Sequence, residues 1–403
     1  MTDIAPPLDE RVDLALFGDY AGLSANIQRR IVESRAKPNE SKTLRLFPTS
    51  EAAELVGLSE THFRALRRER PDFPEGTVVG GNNRRAFTLA EINTMRDRLL
   101  ETTGDQRYRV RRVSGGLPVI TFANFKGGAA KTTSAVHAAQ YFALKGRRVL
   151  LVDLDSQGSL TSIFGFQPDE DFTENDTLYP FLRGEIKSLR PLVRRTYWDT
   201  IDLIPANLSL FQSEFELPLM QHRDRNFRFW RLLQSGLESV ADDYDIVVCD
   251  CPPSLGYLSI NAIYAATGLV VPVPPSMLDY ASTGQFFRMM HDTLATLGQY
   301  EKQTKIFDFV RILIAKFNPA DQNHKQIARW MSLSYRERVM ENRMVVTTAL
   351  DMAGLRKETL YESGASGNKR TSDRALDHMN AVNAELLELV TRTMAPAHSG
   401  EVA

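Results

Sequence analysis

Two lysines and a pair of adjacent glycines lie between an apolar run and a helical pattern. The segment is Asn124-Phe-Lys-Gly-Gly-Ala-Ala-Lys-Thr-Thr133, with a β-branched run at 118–123 before it and helix-forming residues 134–144 after it. Glycines allow backbone N–H groups to turn toward phosphate oxygens, a helix N-terminus adds positive potential, and a lysine supplies a mobile cation. The combination predicts a loop that binds the phosphates of a nucleotide.

The loop does not meet the common pattern G-x-x-x-x-G-K-S/T, because Phe125 and Ala130 stand at its glycine positions. A simple turn flanked by solvated lysines is the alternative for a glycine pair considered alone. The variant pattern K-G-G-x-x-K-T-S/T is met in full by Lys126 to Thr133. In this the chain resembles the deviant Walker family of ATPases, which includes ParA and MinD proteins and the nitrogenase iron protein.

The resemblance implies ATP and Mg²⁺ as cofactors and assigns roles within the loop. Lys126 is expected to reach the ATP of a partner subunit, Lys131 to contact the phosphates of its own ATP, and Thr132 to bind Mg²⁺. The expected ATP-binding residues of the loop are Lys126, Gly127, Gly128, Ala129, Ala130, Lys131, Thr132 and Thr133.

A pair of aspartates follows the next apolar run. The segment Arg148-Val-Leu-Leu-Val-Asp-Leu-Asp-Ser-Gln-Gly158 resembles the family's V-D-x-D-P-Q segment, with Ser156 in place of the proline. The resemblance implies that Asp155 orients the attacking water or assists proton transfer, that Asp153 lies near Mg²⁺, and that Gln157 belongs to a switch. A helix cap is the alternative for one aspartate and explains the pair less easily.

A third carboxylate, Asp250, ends the apolar run of Tyr244-Asp-Ile-Val-Val-Cys-Asp-Cys-Pro-Pro253, which resembles a Walker B segment. Asp250 is expected to hold Mg²⁺ through water, because this ion keeps several waters and few protein ligands. A capping aspartate after a buried strand is the alternative. Cys249 and Cys251 flank it, and their spacing fits neither a disulfide framework nor a four-ligand zinc site.

Phe317 and Asn318 stand where the family often contacts the adenine base. Phe317 could equally be a core residue, and Asn318 could cap a turn before Pro319.

These groups require strands and helices to bring them together. Short, mostly apolar runs predict six buried strands that alternate with helical segments, at 118–123, 148–153, 201–206, 245–250, 268–273 and 309–315. Such alternation predicts an α/β fold with a doubly wound, mostly parallel sheet. The resemblance identifies it as a P-loop NTPase.

The region before this domain predicts a different architecture. Residues 1–46 contain an apolar helical stripe over 12–31 and a polar linker, and the stripe could serve dimerisation or pack on its own domain. Residues 47–106 predict a helix over 50–56 capped by Thr49 and Ser50, a turn at Gly57 and a second helix capped by Ser59. A hairpin at 79–87 and a Thr88-capped helix come next, and residues 107–403 form the ATPase domain. The helix capped by Thr88 is expected to turn four apolar residues inward, Leu89, Ile92, Met95 and Leu99.

The 47–106 module resembles the MerR-like winged helix-turn-helix at the N-terminus of larger ParA proteins. With Phe63 and Leu66 inward, the second helix and the hairpin would face DNA. A protein-interaction module with solvated arginines is the alternative. The residues expected to contact DNA are Thr61, Arg64, Arg67, Arg68, Arg84 and Arg85.

The bulk composition limits the partners. The 403 residues carry a formal net charge of −1, so DNA binding must come from local basic patches. No signal peptide and no apolar run of about 18 residues is evident, and we expect a cytoplasmic protein with no membrane partner. A MinD-like membrane ATPase would need a basic amphipathic tail, which residues 394–403 lack, and an iron–sulfur carrier would need thiolates at a dimer face.

Among family branches the chain most resembles the plasmid RepA partition ATPases. That resemblance implies an ATP-gated homodimer that binds operator DNA and nonspecific DNA, is associated with the nucleoid, and represses its own operon. A ParB-type centromere-binding partner is expected to stimulate slow ATP hydrolysis.

Overall fold

The computed structural model describes residues 22–23, 27, 42–80, 84–108, 112, 116–363 and 369–394. The chain forms two compact units, Met1–Lys42 and Thr43–Ala403. The predicted helix over 12–31 and its linker lie almost entirely outside the described residues. Nearly all of the described residues belong to the second unit.

The N-terminal part of this unit is a small module of three helices and three antiparallel strands. The strands β1 (Phe47–Pro48), β2 (Thr77–Val79) and β3 (Arg84–Phe87) pair in the order β1-β3-β2. The helices are α1 (Thr49–Val56), α2 (Glu60–Glu69) and α3 (Leu89–Thr103). The pairing of Val79 with Arg84 confirms the predicted hairpin.

Local capping explains where these helices begin and end. Gly57 ends α1 in the left-handed region, with φ of 83°, and the Ser59 hydroxyl accepts the His62 N–H at the start of α2. Thr88 caps α3 as predicted, in a reciprocal capping box with Glu91. The prediction that Thr49 and Ser50 cap α1 is wrong, because α1 begins after Pro48 and the Thr49 hydroxyl instead donates to the Arg85 carbonyl at 3.0 Å.

The module has its own apolar centre. Phe63 of α2 and Phe87 of β3 are buried and meet edge to face, with ring centroids 5.3 Å apart. The four residues of α3 predicted to face inward, Leu89, Ile92, Met95 and Leu99, are all buried.

The rest of the unit is built on a seven-stranded sheet. Its strands are β4 (Val119–Phe122), β5 (Val149–Asp153), β6 (Arg194–Arg195), β7 (Ile201–Ile204), β8 (Ile246–Asp250), β9 (Gly268–Val273) and β10 (Phe309–Ile314), in the spatial order β10-β9-β4-β8-β5-β7-β6. All neighbours pair in parallel except β6 and β7. The six predicted strands are confirmed, and β6 is an additional short antiparallel edge.

Helices cover both faces of the sheet, as expected for a doubly wound fold. One apolar core includes residues of α4 and the C-terminal helix α15, and the other includes residues of α9 to α12. The helices of this part are α4 (Lys131–Leu144), α5 (Ser159–Ile163), α6 (Pro168–Asp171), α7 (Tyr179–Leu182), α8 (Ser213–Arg223), α9 (Leu232–Glu238), α10 (Tyr257–Ala265), α11 (Met277–Glu301), α12 (Gln322–Tyr335), α13 (Thr348–Leu355), α14 (Leu360–Ser363) and α15 (Lys369–Met394). None of the described helices is both long and apolar enough to span a membrane.

The sheet register brings the predicted acidic groups together. Asp250, at the end of β8, pairs in register with Phe122 of β4 and with Asp153 of β5. The loops that come after β4, β5 and β8 therefore leave the same edge of the sheet, which is where ligands bind in open α/β folds.

Candidate anion-binding loop and arginine groove

The loop after β4 is fixed to the sheet by the side chain of Asn124. Its amide nitrogen donates to the Pro272 carbonyl at 2.8 Å, and its oxygen accepts the backbone N–H of Lys126 at 3.1 Å. Asn124 is itself buried. The sequence pattern assigns Asn124 no role, and the structure shows that it orients the start of the loop.

The conformation of the loop depends on two left-handed positions. Gly128 has φ of 72°, and a Cβ built on Gly127 or Gly128 would meet no atom within 4 Å, so this stretch of backbone faces open space. Ala130, at a position where the common pattern has glycine, has φ of 69° and immediately precedes α4. An alanine in this region costs about 1–2 kcal/mol, so the loop geometry is maintained against a local penalty.

The ammonium group of Lys131 lies within the loop. Its Nζ donates to the Lys126 carbonyl at 2.9 Å, and the residue is buried. Burial lowers the pKa of Lys131, and the nearby carboxylates of Asp250 and Asp155 oppose that shift. A cation held among backbone groups at a helix N-terminus is suited to binding phosphate.

The other lysine of the loop has a partner that no sequence motif indicates. Lys126 Nζ lies 3.1 Å from Asp279 Oδ1, in the first turn of α11. The two residues are far apart in sequence, so no local pattern could have joined them.

Asp250 is a buried carboxylate with unsatisfied oxygens. The residue is fully buried, and neither oxygen accepts a hydrogen bond from the described residues. Burial raises its pKa well above the usual range and Asp153 raises it further, whereas the Thr132 hydroxyl and the Lys131 ammonium lower it. A buried carboxyl group whose oxygens accept no hydrogen bond from the described residues is costly, so this donor set fits a Mg²⁺ ion.

Asp153 lies next to Asp250 but has its own hydrogen-bond partners. Its Oδ2 accepts the N–H and hydroxyl of Thr161 at 3.0 and 2.7 Å, and its Oδ1 accepts the Asp155 N–H at 3.2 Å. Burial raises the pKa of Asp153 to about 7, against the hydrogen bonds from Thr161. Asp153 thus supports the loop that carries Asp155, and its proximity to Mg²⁺ stays a prediction.

Asp155 occupies an accessible position in the loop after β5. It is half-buried, and its Oδ1 accepts the N–H of Gln157 at 3.1 Å. Gly158 ends this loop with φ of 60°, where a Cβ would lie 2.6 Å from Pro168 Cγ. The loop is therefore closely packed at its end while the Asp155 carboxylate stays within electrostatic range of Lys131.

Phe317 and Asn318 have the features of a core residue and a turn cap, the alternatives that the sequence left open. Phe317 is buried under the Arg343 guanidinium, whose carbon is 4.6 Å from the ring centroid. Asn318 is exposed, and its side chain accepts the Ala320 N–H at 3.0 Å, as in a turn cap. Their contact with adenine stays a prediction.

The arginines predicted to contact DNA gather around one groove of about 610 Å³ in the N-terminal module. Among the described residues, five arginines line it, together with one acidic residue, Glu60. Thr61 lies exposed on the same helix, α2. The lining arginines are Arg64, Arg67, Arg68, Arg84 and Arg85.

Backbone carbonyls orient part of this cluster. Arg67 and Arg85 both donate to the Glu75 carbonyl, at 3.1 and 2.9 Å, and Arg64 pairs with Glu60. Burial and the neighbouring Arg85 lower the pKa of Arg67. The groove therefore concentrates positive charge that acidic neighbours only partly balance, an arrangement suited to phosphate groups.

Proteins of similar sequence match most of this chain. A family model described as an AAA domain matches residues 117–303. The protein named "Putative replication protein A" in Rhizobium rhizogenes is 39% identical over 362 residues, which cover 88% of this chain and 89% of that protein. Protein SopA of Escherichia coli strain K12 is 34% identical over 353 residues, covering 83% and 85% of the two chains.

Two solved structures have folds similar to that of this chain. One named "Partition Protein" matches with a TM-score of 0.66 over 96% of this chain and all of its own, at 17% identity, and it shows the fold alone. Cobyrinic acid a,c-diamide synthase of Mycobacterium smegmatis, solved with an ATP analogue and magnesium, matches with a TM-score of 0.50 at 29% identity. That match covers 60% of this chain and 92% of the synthase.

Proposed function

Because the chain belongs to the ParA/SopA family of partition ATPases, we propose that it is the ATPase that segregates a plasmid or a similar replicon. The observation that carries this proposal is the buried carboxyl group of Asp250, whose oxygens accept no hydrogen bond from the part of the chain that the structure describes, close to Thr132 and the Lys131 ammonium. ATP binding gates assembly of a homodimer on DNA, and hydrolysis reverses it. The protein acts in the cytoplasm, associated with the nucleoid.

ATP occupies the loop between Lys126 and Thr133. The Lys131 ammonium exchanges the Lys126 carbonyl for the β and γ phosphates, and the open backbone at Gly127 and Gly128 directs N–H groups toward them. A bound Mg²⁺ supplies positive charge that neutralises the phosphates. Asp250 and Thr132 would hold that ion.

Hydrolysis depends on Asp155 and Lys126. Asp155 orients the attacking water and accepts its proton, from a loop supported by Asp153. Lys126 stabilises the developing charge on the partner's ATP. Because the site is complete only with two subunits, turnover by an isolated subunit is slow, and a ParB-type partner accelerates it.

The N-terminal module is a winged helix-turn-helix that binds the operator of its own operon. The groove formed by α2 and the hairpin supports this, since it places Arg64 and Arg68 beside Arg84 and Arg85. Arginine binds phosphate and guanine in bidentate fashion, so one groove can both position and read DNA. Operator binding makes the protein a repressor of its own partition genes, whereas nonspecific DNA binding belongs to the dimer.

The decisive experiment measures ATP turnover of the full chain alone, with DNA, and with DNA plus the product of the neighbouring gene. Stimulation by both is expected for a partition ATPase, whereas operator binding without any turnover would identify a plain DNA-binding regulator. Lys131→Ala is expected to abolish ATP binding, and Lys187→Ala, at an exposed lysine far along the sequence, is the control. Retained ATP affinity in Lys131→Ala would contradict the phosphate-loop assignment.

A further inference from the structure

The ion pair between Lys126 and Asp279 involves the lysine that the proposed function assigns to the partner's ATP. The Nζ–Oδ1 distance is 3.1 Å, and the two side chains are 29% and 21% exposed. The contact is therefore formed within one subunit, in a partly desolvated position. In the proposed function, Lys126 would have to leave this contact to reach the ATP of a partner subunit.

Asp279 is held in place by the start of its own helix. Ser276 caps α11 by accepting the Asp279 N–H at 3.1 Å, and its hydroxyl donates to Asp279 Oδ2. The other oxygen, Oδ1, faces Lys126. A carboxylate in the first turn of a helix is also favoured by the helix dipole, so Asp279 presents a fixed negative charge to Lys126.

We propose that Asp279 is a positioning residue that retains the Lys126 ammonium in its own subunit and thereby opposes premature dimerisation. This proposal rests on the proposed function, in which Lys126 contacts the nucleotide of a second copy. The triphosphate carries more negative charge than one carboxylate, so bound ATP in the partner competes successfully for the lysine. Without ATP in the partner, the Lys126 ammonium stays paired with Asp279.

The surroundings of the pair support this assignment. Met277 and Leu278, in the same helical turn as Asp279, are 54% and 79% exposed. Large apolar side chains with such exposure are suited to being covered on assembly. The turn that retains Lys126 thus also presents apolar surface to solvent, beside the nucleotide loop.

The size of the effect depends on the exposure of the pair. A partly exposed ion pair changes an equilibrium by roughly two- to fivefold, and forming the dimer breaks two such pairs. Removing the charge of Asp279 should therefore lower the dimer dissociation constant by roughly four- to twenty-five-fold, since the two effects multiply.

The test compares full-length variants in a nonhydrolysable ATP analogue with Mg²⁺, with the dimer dissociation constant measured by sedimentation. Asp279→Asn removes the charge but keeps an oxygen that can accept from Ser276, so α11 should remain capped. Asp279→Glu keeps the charge and should restore a dissociation constant within about twofold of the wild type. Asp292→Asn removes a charge from the same helix at an exposed site whose described ion pair is with His291, and should have no effect.

The proposal is supported if Asp279→Asn dimerises more tightly than the wild type. Asp279→Glu and Asp292→Asn should then both have dissociation constants close to that of the wild type. If the wild type dimerises and Asp279→Asn dimerises equally well or more weakly, the role of Asp279 is overturned, whereas the proposed function is not. If the wild type forms no dimer with the analogue, the ATP-gated assembly in the proposed function fails as well, and so does this inference.

Discussion

The guanidinium of Arg96 donates a hydrogen bond of 2.6 Å to the carbonyl of Leu144, the last residue of the helix that begins at the nucleotide loop. The same group donates to the Leu55 carbonyl in α1, also at 2.6 Å. Arg96 therefore caps the C-terminal ends of two helices, one in each part of the unit. It is 3% exposed, so it belongs to the core between them.

Arg96→Met should destabilise the fold, because it removes the side-chain donor to the buried Leu144 carbonyl and to the partly buried Leu55 carbonyl. We expect the free energy of unfolding to fall by about 2–4 kcal/mol, given the usual strength of charged, buried hydrogen bonds. The measurement is denaturant unfolding without nucleotide. Arg98→Met is the matched control on the same helix, since Arg98 is exposed and its described ion pair is with Glu101, and a change of at most about 0.5 kcal/mol is expected there. Equal effects of the two variants would contradict the role of Arg96.

The left-handed conformation of Ala130 leads to a second prediction. Ala130→Gly should remove the steric penalty at φ of 69° and so raise the free energy of unfolding, by up to about 1 kcal/mol after the larger entropy of unfolded glycine is counted. Ala129→Gly should have the opposite sign, because Ala129 is buried and is not among the described residues with positive φ. Denaturant unfolding of both variants without nucleotide tests this, and a loss of stability in Ala130→Gly would contradict the strain argument.

Much of the sheet was predictable because its strands are short, buried and rich in β-branched residues. Several runs end close to a residue with chemical character, such as Asp153 or Asp250, so the strand ends also indicated where the site lies. The parallel register then explains why these carboxylates meet. The edge strand β6 escaped prediction because it consists of two arginines and has no apolar pattern.

Several side-chain contacts between distant segments were not predictable from the sequence. Arg96 lies between inward-facing residues of α3, but an arginine in a helix is ordinarily exposed, so its burial became evident only from the fold. The Lys126–Asp279 pair joins distant segments and depends on the path of the chain between β4 and α11. The cap of α1 also differed, because Thr49 bonds across to the hairpin instead of capping its own helix.

A third prediction distinguishes a catalytic role of Asp155 from a structural one. Asp155→Ala should retain ATP binding and dimerisation but lower turnover by about 100-fold or more, since it removes the group that orients and deprotonates water. Asp155→Asn is the informative companion, because it keeps an oxygen that can accept the Gln157 N–H and so preserves the loop. Steady-state phosphate release in the presence of DNA measures both. Normal turnover in Asp155→Asn would assign the residue a purely structural role.

The last prediction concerns the arginine groove. Replacing Arg64 and Arg67 together by alanine should weaken operator binding by at least about tenfold and flatten its salt dependence, because two cations leave the groove. ATP turnover without DNA should stay unchanged, since neither residue is near the nucleotide loop in the sequence or in any described contact. Fluorescence anisotropy with a promoter fragment over a range of salt concentrations provides the measurement. Replacing Arg98 and Arg107 together is the control of equal charge, because each pairs with an acidic neighbour outside the groove. Equal weakening by the two double variants would indicate a general charge effect and not a binding groove formed by α2 and the hairpin.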